Sequence, residues 1–231
     1  NRLLFCEDGA MVCGPRPFWS FVWPRDASQH IVAFAEAGYL EEARRAVRWL
    51  LDRTPESGVH EARYRSDGTP MLLDNRPRQG DNPGFLCWAA GEVARRAWDP
   101  EWVAAIRDPL VQMTDHLLRD VDPETRLPQP EADHRESQVS ASIGIVVTAF
   151  GGLHGAADLF ERLGETERAQ RCRARAGEIR QAAEKHLWDE HGQYFITSVN
   201  PRVERSDIAT AWGVYPFAVW PAGDPKSAPG I

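Results

Sequence analysis

Several common signatures are missing from this sequence, and each absence removes a class of protein. Cysteine is scarce, and the four that occur show neither Cys-x-x-Cys spacing nor a histidine pattern, so no zinc site and no disulfide framework is predicted. No glycine-rich loop that could cradle a phosphate is evident. The formal net charge of −7 is spread without a basic stripe. We therefore expect no metal, no cofactor and no nucleic-acid partner.

Long apolar runs are also missing. No run reaches the roughly 18 consecutive apolar residues of a membrane span, and no charged-then-apolar signal peptide opens the chain. These absences predict no membrane partner and a cytoplasmic location, although a segment upstream of Asn1 would leave secretion open. With 42% hydrophobic and 26% charged residues, the composition is that of a globular protein with one core. We expect a single domain over 1–231.

Helical spacing of apolar residues dominates the chain and predicts an all-α fold. Two junctions have the same form, a helix that ends in glycine at Gly38 or Gly164, then an acidic turn and an arginine-rich helix, which predicts repeated αα-hairpins. The second helix of each pair carries dense charge, so odd-numbered helices are expected inside and even-numbered helices outside. The predicted helices are 27–37, 40–51, 83–97, 101–118, 139–163 and 166–187, with a further segment at 208–219.

The odd-numbered helices of such hairpins begin at one rim of the molecule, so the residues that precede them should converge there. Long, polar connections lead to this rim at 54–82, 120–138 and 188–207, and loops longer than roughly 15 residues are usually functional. The rim residues are Trp19, Trp23, Arg25 and Asp26, then Gln79, Asp81 and Asn82, then Asp133, His134, Arg135 and Glu136, and finally Arg202, Arg205 and Asp207.

This combination of side chains suits a carbohydrate. Flat aromatic faces, here those of Trp19 and Trp23, contact the apolar faces of a pyranose, while carboxylates, amides and guanidinium groups hydrogen-bond its hydroxyls. The structural alternative is that Asp and Asn cap the helices and that Arg25 and Asp26 form a simple ion pair. Taken singly, each residue favours that alternative.

Four motifs together resemble the glucoamylase-like enzymes of glycoside hydrolase family 15. Their catalytic domain is an (α/α)6 barrel of six helical hairpins, and the similarity runs across nearly the whole chain. The strongest motif is WSFVWPRDAS, whose Arg-Asp pair holds a sugar beside the scissile bond in the family and corresponds to Arg25 and Asp26. Next, NRPRQGDNPGF matches the family's Arg-Pro-Gln-x-Asp-Gly-Pro segment at Gln79 and Asp81, with Asn82 in place of glycine.

The other two motifs carry departures. LPQPEADHRES resembles Leu-Pro-x-Pro-x-x-Asp-Leu-Trp-Glu-Glu, whose first Glu is the general acid, which implies that Glu136 is this acid. Arg135 stands where the family has Trp, and Ser137 where it has a second, substrate-binding Glu. RVERSDIATAWG is similar to Arg-x-x-x-Asp-Ala-x-Thr-x-x-Gly, which implies a sugar-binding role for Asp207, with Arg205 or Arg202 in place of the family's arginine.

The resemblance implies inverting exo-hydrolysis of α-glucosidic bonds in oligosaccharides or polysaccharides, of the glucoamylase or glucodextranase type. A closed barrel needs twelve helices and about half are present here, so we expect an incomplete barrel that is truncated at its C-terminus. The family's catalytic base falls beyond the matched region, so we expect the chain to lack turnover by itself. Trehalase activity, α-1,6-debranching activity and a noncatalytic sugar-binding or regulatory module stay open as alternatives.

Overall fold

The computed structural model describes residues 5–6, 8–135 and 139–227. Seven α-helices and a short 3-10 helix, Pro17–Trp19, lie within them. The α-helices are α1 Pro24–Glu36, α2 Leu40–Leu51, α3 Asn82–Arg96, α4 Pro100–Arg119, α5 Ile143–Arg162, α6 Thr166–His186 and α7 Thr210–Val214.

Local sequence signals explain where these helices begin and end. Proline occupies the first turn of α1 and α4, where its missing N–H costs nothing. The Asp99 carboxylate caps α4 by accepting from the N–H groups of Glu101 and Trp102, both at 3.1 Å. Gly38 and Gly164 follow α1 and α5 at φ values of 87° and 79°, which only glycine adopts without strain. The predicted αα-hairpins are therefore confirmed.

The helices form two layers, as the charge pattern predicted. In one layer α3 packs between α1 and α5, and each even-numbered helix packs against the odd-numbered helix that precedes it. Helix α5 is the centre of the core, with most of its side chains buried. Among the described residues it is the one helix long and apolar enough to cross a membrane, a run that the sequence analysis missed, but 83% of that window is buried inside the protein. It is a core helix.

Glycines bring the backbones of α3 and α5 into contact. A Cβ added at Gly84 would lie 2.3 Å from the carbonyl oxygen of Thr148, and one at Gly152 would lie 2.5 Å from that of Gly84. About two turns further along, Gly91 faces Gly155 in the same way. The Gly-Gly-Leu-His-Gly run of α5 therefore serves close packing against α3.

The structure contains a small sheet, in segments that the sequence analysis had assigned to the connection over 188–207 and to the start of the fifth helix. Its strands are β1 Ala141–Ser142, β2 Trp188–Asp189, β3 Tyr194–Val199 and β4 Val203–Ser206, and β3 pairs antiparallel with the other three. The long polar connection predicted over 188–207 contains β2, β3 and β4, because an alternating apolar segment pairs as a hairpin. Helix α5 begins at Ile143 rather than at 139, since β1 precedes it. Helix α7 is shorter than 208–219 and ends ahead of Pro216.

Three extended segments lie beside the start of α1. Val22 pairs antiparallel with Tyr64, and Tyr64 pairs with Pro70 on its other side. Val22 and Tyr64 point into the core, where they are buried, so alternation turns the neighbouring side chains towards the rim. We call residues 21–23, 63–65 and 69–71 the rim sheet.

Candidate functional site

Arg25, in the first turn of α1, is the centre of a buried polar cluster. Its Nη1 donates to Gln79 Oε1 at 2.8 Å and to Asp81 Oδ2 at 2.9 Å. Its Nε lies 3.8 Å from Asp26 Oδ2. Burial works against the charged form, but the carboxylates of Asp81 and Asp26 outweigh it and raise the pKa of Arg25. The guanidinium is therefore a fixed positive charge held by the loop before α3.

Gln79 and Asp81 support this guanidinium from beneath. Both side chains are fully buried, and burial raises the pKa of Asp81 even with Arg25 beside it. Their loop is tied to the segment before α5, because Gly80 N donates to Ala132 O at 2.9 Å. Asp81 Oδ1 has no hydrogen-bond partner. These residues were predicted as direct sugar contacts, whereas in this structure they face Arg25 and not the surface.

A second cluster joins the loop before α5 to the loop before α7. Arg135 donates from Nη2 to Asp133 Oδ2 at 2.7 Å and from Nε to Asp133 Oδ1 at 3.1 Å, and its backbone N–H adds a bond of 2.9 Å to Oδ1. Its Nη1 reaches Asp207 Oδ2 at 3.3 Å. Burial would raise the pKa of Asp133, but hydrogen bonds from Arg135 and Ser142 hold it below its ordinary value. Asp133 is thus an ionised and fully partnered carboxylate.

His134 completes this cluster between two carboxylates. Its Nε2 lies 3.5 Å from Asp207 Oδ1 and its Nδ1 lies 3.7 Å from Asp133 Oδ2. The imidazole meets the edge of Trp212 with 5.4 Å between ring centres. The charge of Asp133 also acts on Arg25 and Asp81, which places the two clusters next to each other.

The open surface of the site is formed by fewer residues than its interior. The Asp26 side chain is 34% exposed, and its Oδ1 accepts a bond from the Cys13 thiol at 3.3 Å. Burial and the neighbouring Asp26 raise the pKa of this thiol to about 12, so it is a hydrogen-bond donor and not a nucleophile. Trp19 is largely exposed, whereas Trp23 is buried beneath it at 5.8 Å between ring centres. The open surface of the site is therefore formed by Asp26, the edge of Arg25 and Trp19.

Glu131 lies just behind this rim. Desolvation, together with the charges of Asp120 and Asp81, raises its pKa to about 7. Its Oε2 is buried without a hydrogen-bond partner, against the position that a side chain at Gly80 would occupy. This carboxyl group therefore changes its charge near neutral pH beside the loop that carries Gln79 and Asp81.

The architecture that carries these clusters occurs in solved glycosidase structures. No protein-family model and no curated protein matches the sequence. A glycosidase variant in complex with glucose superposes with a TM-score of 0.79 at 18% identity, covering 98% of this chain and 63% of that one. This chain has a glucoamylase-like fold. A bacterial glucoamylase complexed with acarbose gives 0.67 at 17% identity, covering 87% and 30% of the two chains. The glucoamylase from Saccharomycopsis fibuligera gives 0.68 at 11% identity, covering 83% and 46%.

The chain spans 63% of the length of two glycosidase structures that cover 98% of it. It is therefore an incomplete helical toroid, as the resemblance implied. Within this glucoamylase-like fold, α1, α3, α5 and α7 begin at one rim, and their preceding loops meet there as predicted.

The glucoamylase-like fold brings most of the predicted site residues together, but not all of them. Arg25, Asp26, Gln79 and Asp81 come together, and Arg135 and Asp207 meet next to them. Arg205 lies on β4 with an exposed side chain, and its backbone carbonyl accepts from Thr197 Oγ1 at 2.7 Å. Glu136, the residue in the general-acid position, lies outside the described residues.

The sequence analysis placed Asp133 and His134 at the rim without assigning them a role, and it did not consider Glu131. Asp133 had a signal, because it matches the Asp of the motif that contains Glu136. His134 and Glu131 had none, since only the fold brings a second carboxylate to each of them. Among the described residues, no group of three or more His, Cys, Asp or Glu side chains could hold a metal ion.

Proposed function

We propose that this chain is the N-terminal, sugar-binding portion of a glycoside hydrolase that releases glucose from α-glucosidic bonds with inversion, in the manner of glucoamylase or glucodextranase. The observation that carries the proposal is the pair formed by Arg25 and Asp26. Arg25 is held rigidly by Gln79 and Asp81, while the Asp26 carboxylate stays open to solvent. A fixed donor beside an accessible acceptor can bind two neighbouring hydroxyls of one pyranose.

In the proposed reaction, Glu136 gives its carboxyl proton to the glycosidic oxygen as the bond from this oxygen to C1 breaks. A water molecule attacks C1 from the opposite face, and its proton passes to a second carboxylate roughly 6.5 to 9.5 Å from the first. That second carboxylate belongs to the part of the toroid outside this chain. Arg135 lies next to Glu136 in sequence, and its guanidinium is bound to Asp133 and Asp207.

The charge of the site favours a neutral sugar as the substrate. Both arginines of the described site are paired with carboxylates, so no guanidinium is left to neutralise a phosphate or a uronate. The carboxylates of Asp26, Asp81, Asp133 and Asp207 repel such groups. The proposed partner is an oligosaccharide or polysaccharide that ends in α-linked glucose.

The test compares the 231-residue chain with the complete gene product. We expect the chain to bind maltose in a ligand-observed NMR titration and to lose this binding in Asp26→Asn. The complete protein should release β-glucose from maltooligosaccharides, and Glu136→Gln should abolish release while it retains binding. Release of α-glucose, or normal turnover by the 231-residue chain alone, would contradict the proposal. Isomaltose, dextran and trehalose in the same assay assign the linkage.

A noncatalytic sugar-binding module is the second candidate. It is favoured by Ser137, which stands where the family motif has its second Glu, and by Arg135 in the place of Trp. Binding of maltose by the complete gene product, with no hydrolysis and with unchanged affinity in Glu136→Gln, would select this candidate.

A further inference from the structure

Four large apolar side chains beside the Arg25–Asp26 pair lie at the surface. Phe18 is 57% exposed, Trp19 47%, Leu72 59% and Leu73 80%. We call these four residues the apolar patch. Clustered apolar groups of this size usually mark a binding surface, because leaving them in water is unfavourable.

Arg63, in the middle segment of the rim sheet, holds the aromatic half of the patch. Its guanidinium lies 4.3 Å from the centre of the Phe21 ring and 6.0 Å from that of Phe18. Its Nη2 also binds Asp74. The side chain is buried despite its charge. Arg63 therefore connects the aromatic rings with the turn that contains Asp74.

The leucine half of the patch is that same turn. Met71 N donates to Arg63 O at 3.0 Å at the end of the rim sheet. Asn75 N donates to Leu72 O at 3.2 Å and closes the turn. Leu72 and Leu73 thus lie between Met71 and Asp74, and both of these residues are bound to Arg63. Because Arg63 also contacts the aromatic rings, the two leucines lie next to those rings.

The patch is continuous with the proposed sugar site. Trp19 packs on Trp23 at 5.8 Å between ring centres. Trp23 directly precedes α1, two residues before Arg25. If a ligand bound at Arg25 and Asp26 continues beyond the site in this direction, its next group lies over Trp19.

The chemistry of the patch suits hydrocarbon better than a further sugar unit. Leucine side chains cannot direct hydroxyls, and sugar subsites interleave aromatic faces with available polar groups. Three charged groups near the patch are occupied with one another, because Asp74 binds both Arg63 and Arg76, the latter at 2.7 Å. A hydroxylated ligand would lose hydration here without gaining hydrogen bonds.

We propose that the apolar patch binds the aglycone of a glucoside whose sugar occupies the Arg25–Asp26 pair, and that this aglycone is an aryl or alkyl group. The inference rests on the proposed function of that pair. It adds a preference for the group on the leaving side of the scissile bond.

Ligand-observed NMR titrations of the 231-residue chain test the patch with methyl, phenyl and hexyl α-glucoside and with maltotriose. Phenyl and hexyl α-glucoside should bind about tenfold more tightly than the methyl compound, because their hydrocarbon is buried. The double variant Leu72→Ser/Leu73→Ser should remove most of this gain and leave methyl α-glucoside unchanged. Ile208→Ser is the matched control, because Ile208 is equally exposed, at 81%, before α7. Circular dichroism checks that each variant is folded.

Three results would overturn the inference. One is equal affinity for the methyl, phenyl and hexyl compounds, and another is a preference for maltotriose that the double variant removes. The third is binding to phosphatidylcholine vesicles that requires Leu72 and Leu73 without any aglycone preference, which would assign the patch to a lipid surface. If methyl α-glucoside and maltose both fail to bind, the proposed function itself fails.

Discussion

Arg25 Nη1 donates to Asp81 Oδ2 at 2.9 Å, and this buried bond connects the first turn of α1 with the residue that precedes α3. The two groups lie 56 positions apart in sequence. Because the bond joins two inner helices at their N-terminal ends, it holds the rim together as well as fixing the guanidinium. Stability and the proposed sugar binding can therefore be separated by mutating the two partners of Arg25, Asp81 and Asp26.

Arg25→Met should leave Asp81 buried without its ion-pair partner, which costs about 3–5 kcal/mol of unfolding free energy. Asp26→Asn, at the open side of the same guanidinium, should change stability by less than about 1 kcal/mol. Urea unfolding measures both. Asp26→Asn should nevertheless lose maltose binding. Equal stability losses in the two variants would contradict the separation of roles.

Glu131→Gln should stabilise the protein at pH 8. Burial raises the pKa of Glu131 from 4.5 to about 7, so the folded state prefers the protonated form. Its contribution is intact below the unfolded pKa and is lost as pH rises through about 7. The variant should be more stable by up to about 3 kcal/mol at pH 8 and equal to the parent at pH 4. Glu124→Gln, at an exposed turn position, is the control. A difference that does not vary with pH would refute this assignment.

Arg135→Met should make the protein more sensitive to acid. Hydrogen bonds from Arg135 and Ser142 overcome burial and keep the pKa of Asp133 low, so Asp133 stabilises the fold above its ordinary pKa and loses this effect as pH falls through the lowered value. Without Arg135 the loss should begin at higher pH, with about 1–3 kcal/mol missing at neutral pH. Unfolding free energies between about pH 2 and pH 6 check this. Arg126→Met, which breaks an exposed pair with Glu178, should leave the profile unchanged.

Gly152→Ala should destabilise the core. Its Cβ would lie 2.5 Å from Gly84 O, so α3 and α5 would have to separate, at a cost of about 1–3 kcal/mol or more. Gly177→Ala on α6 is the matched control, because no atom lies within 4 Å of the added Cβ. It should stabilise the protein by about 0.5–1 kcal/mol through helix propensity. Thermal unfolding of the two variants should therefore shift in opposite directions.

Much of the fold was predictable because it depends on local signals. Gly38 and Gly164 end helices that the apolar spacing had already identified, and Asp99 with Pro100 begins α4. The sheet was not predictable in the same way. Strand β1 has two residues, and it is a strand only because Val199 and Ser198 lie opposite Ala141 and Ser142.

The sequence predicted which residues lie at the site better than it predicted what each residue does there. The motifs identified Arg25, Asp81, Arg135 and Asp207 as residues of one rim, and the fold brings them there. Sequence could not tell which side chains face the ligand, since burial of Asp81 and pairing of Arg135 with Asp133 depend on loops from other hairpins. The resemblance places Arg135 at the rim but gives it no role, because the family has Trp at that position.

The contact between Gly84 and Gly152 affects which parts of the sequence can change during evolution. The distance between the loop before α3 and the loop before α5 depends on the backbone contact between these two helices. It does not depend on the side chains at the rim. Rim side chains can then change without altering this distance. Selection for a new ligand can act on the rim alone, while the glycines keep the scaffold in place.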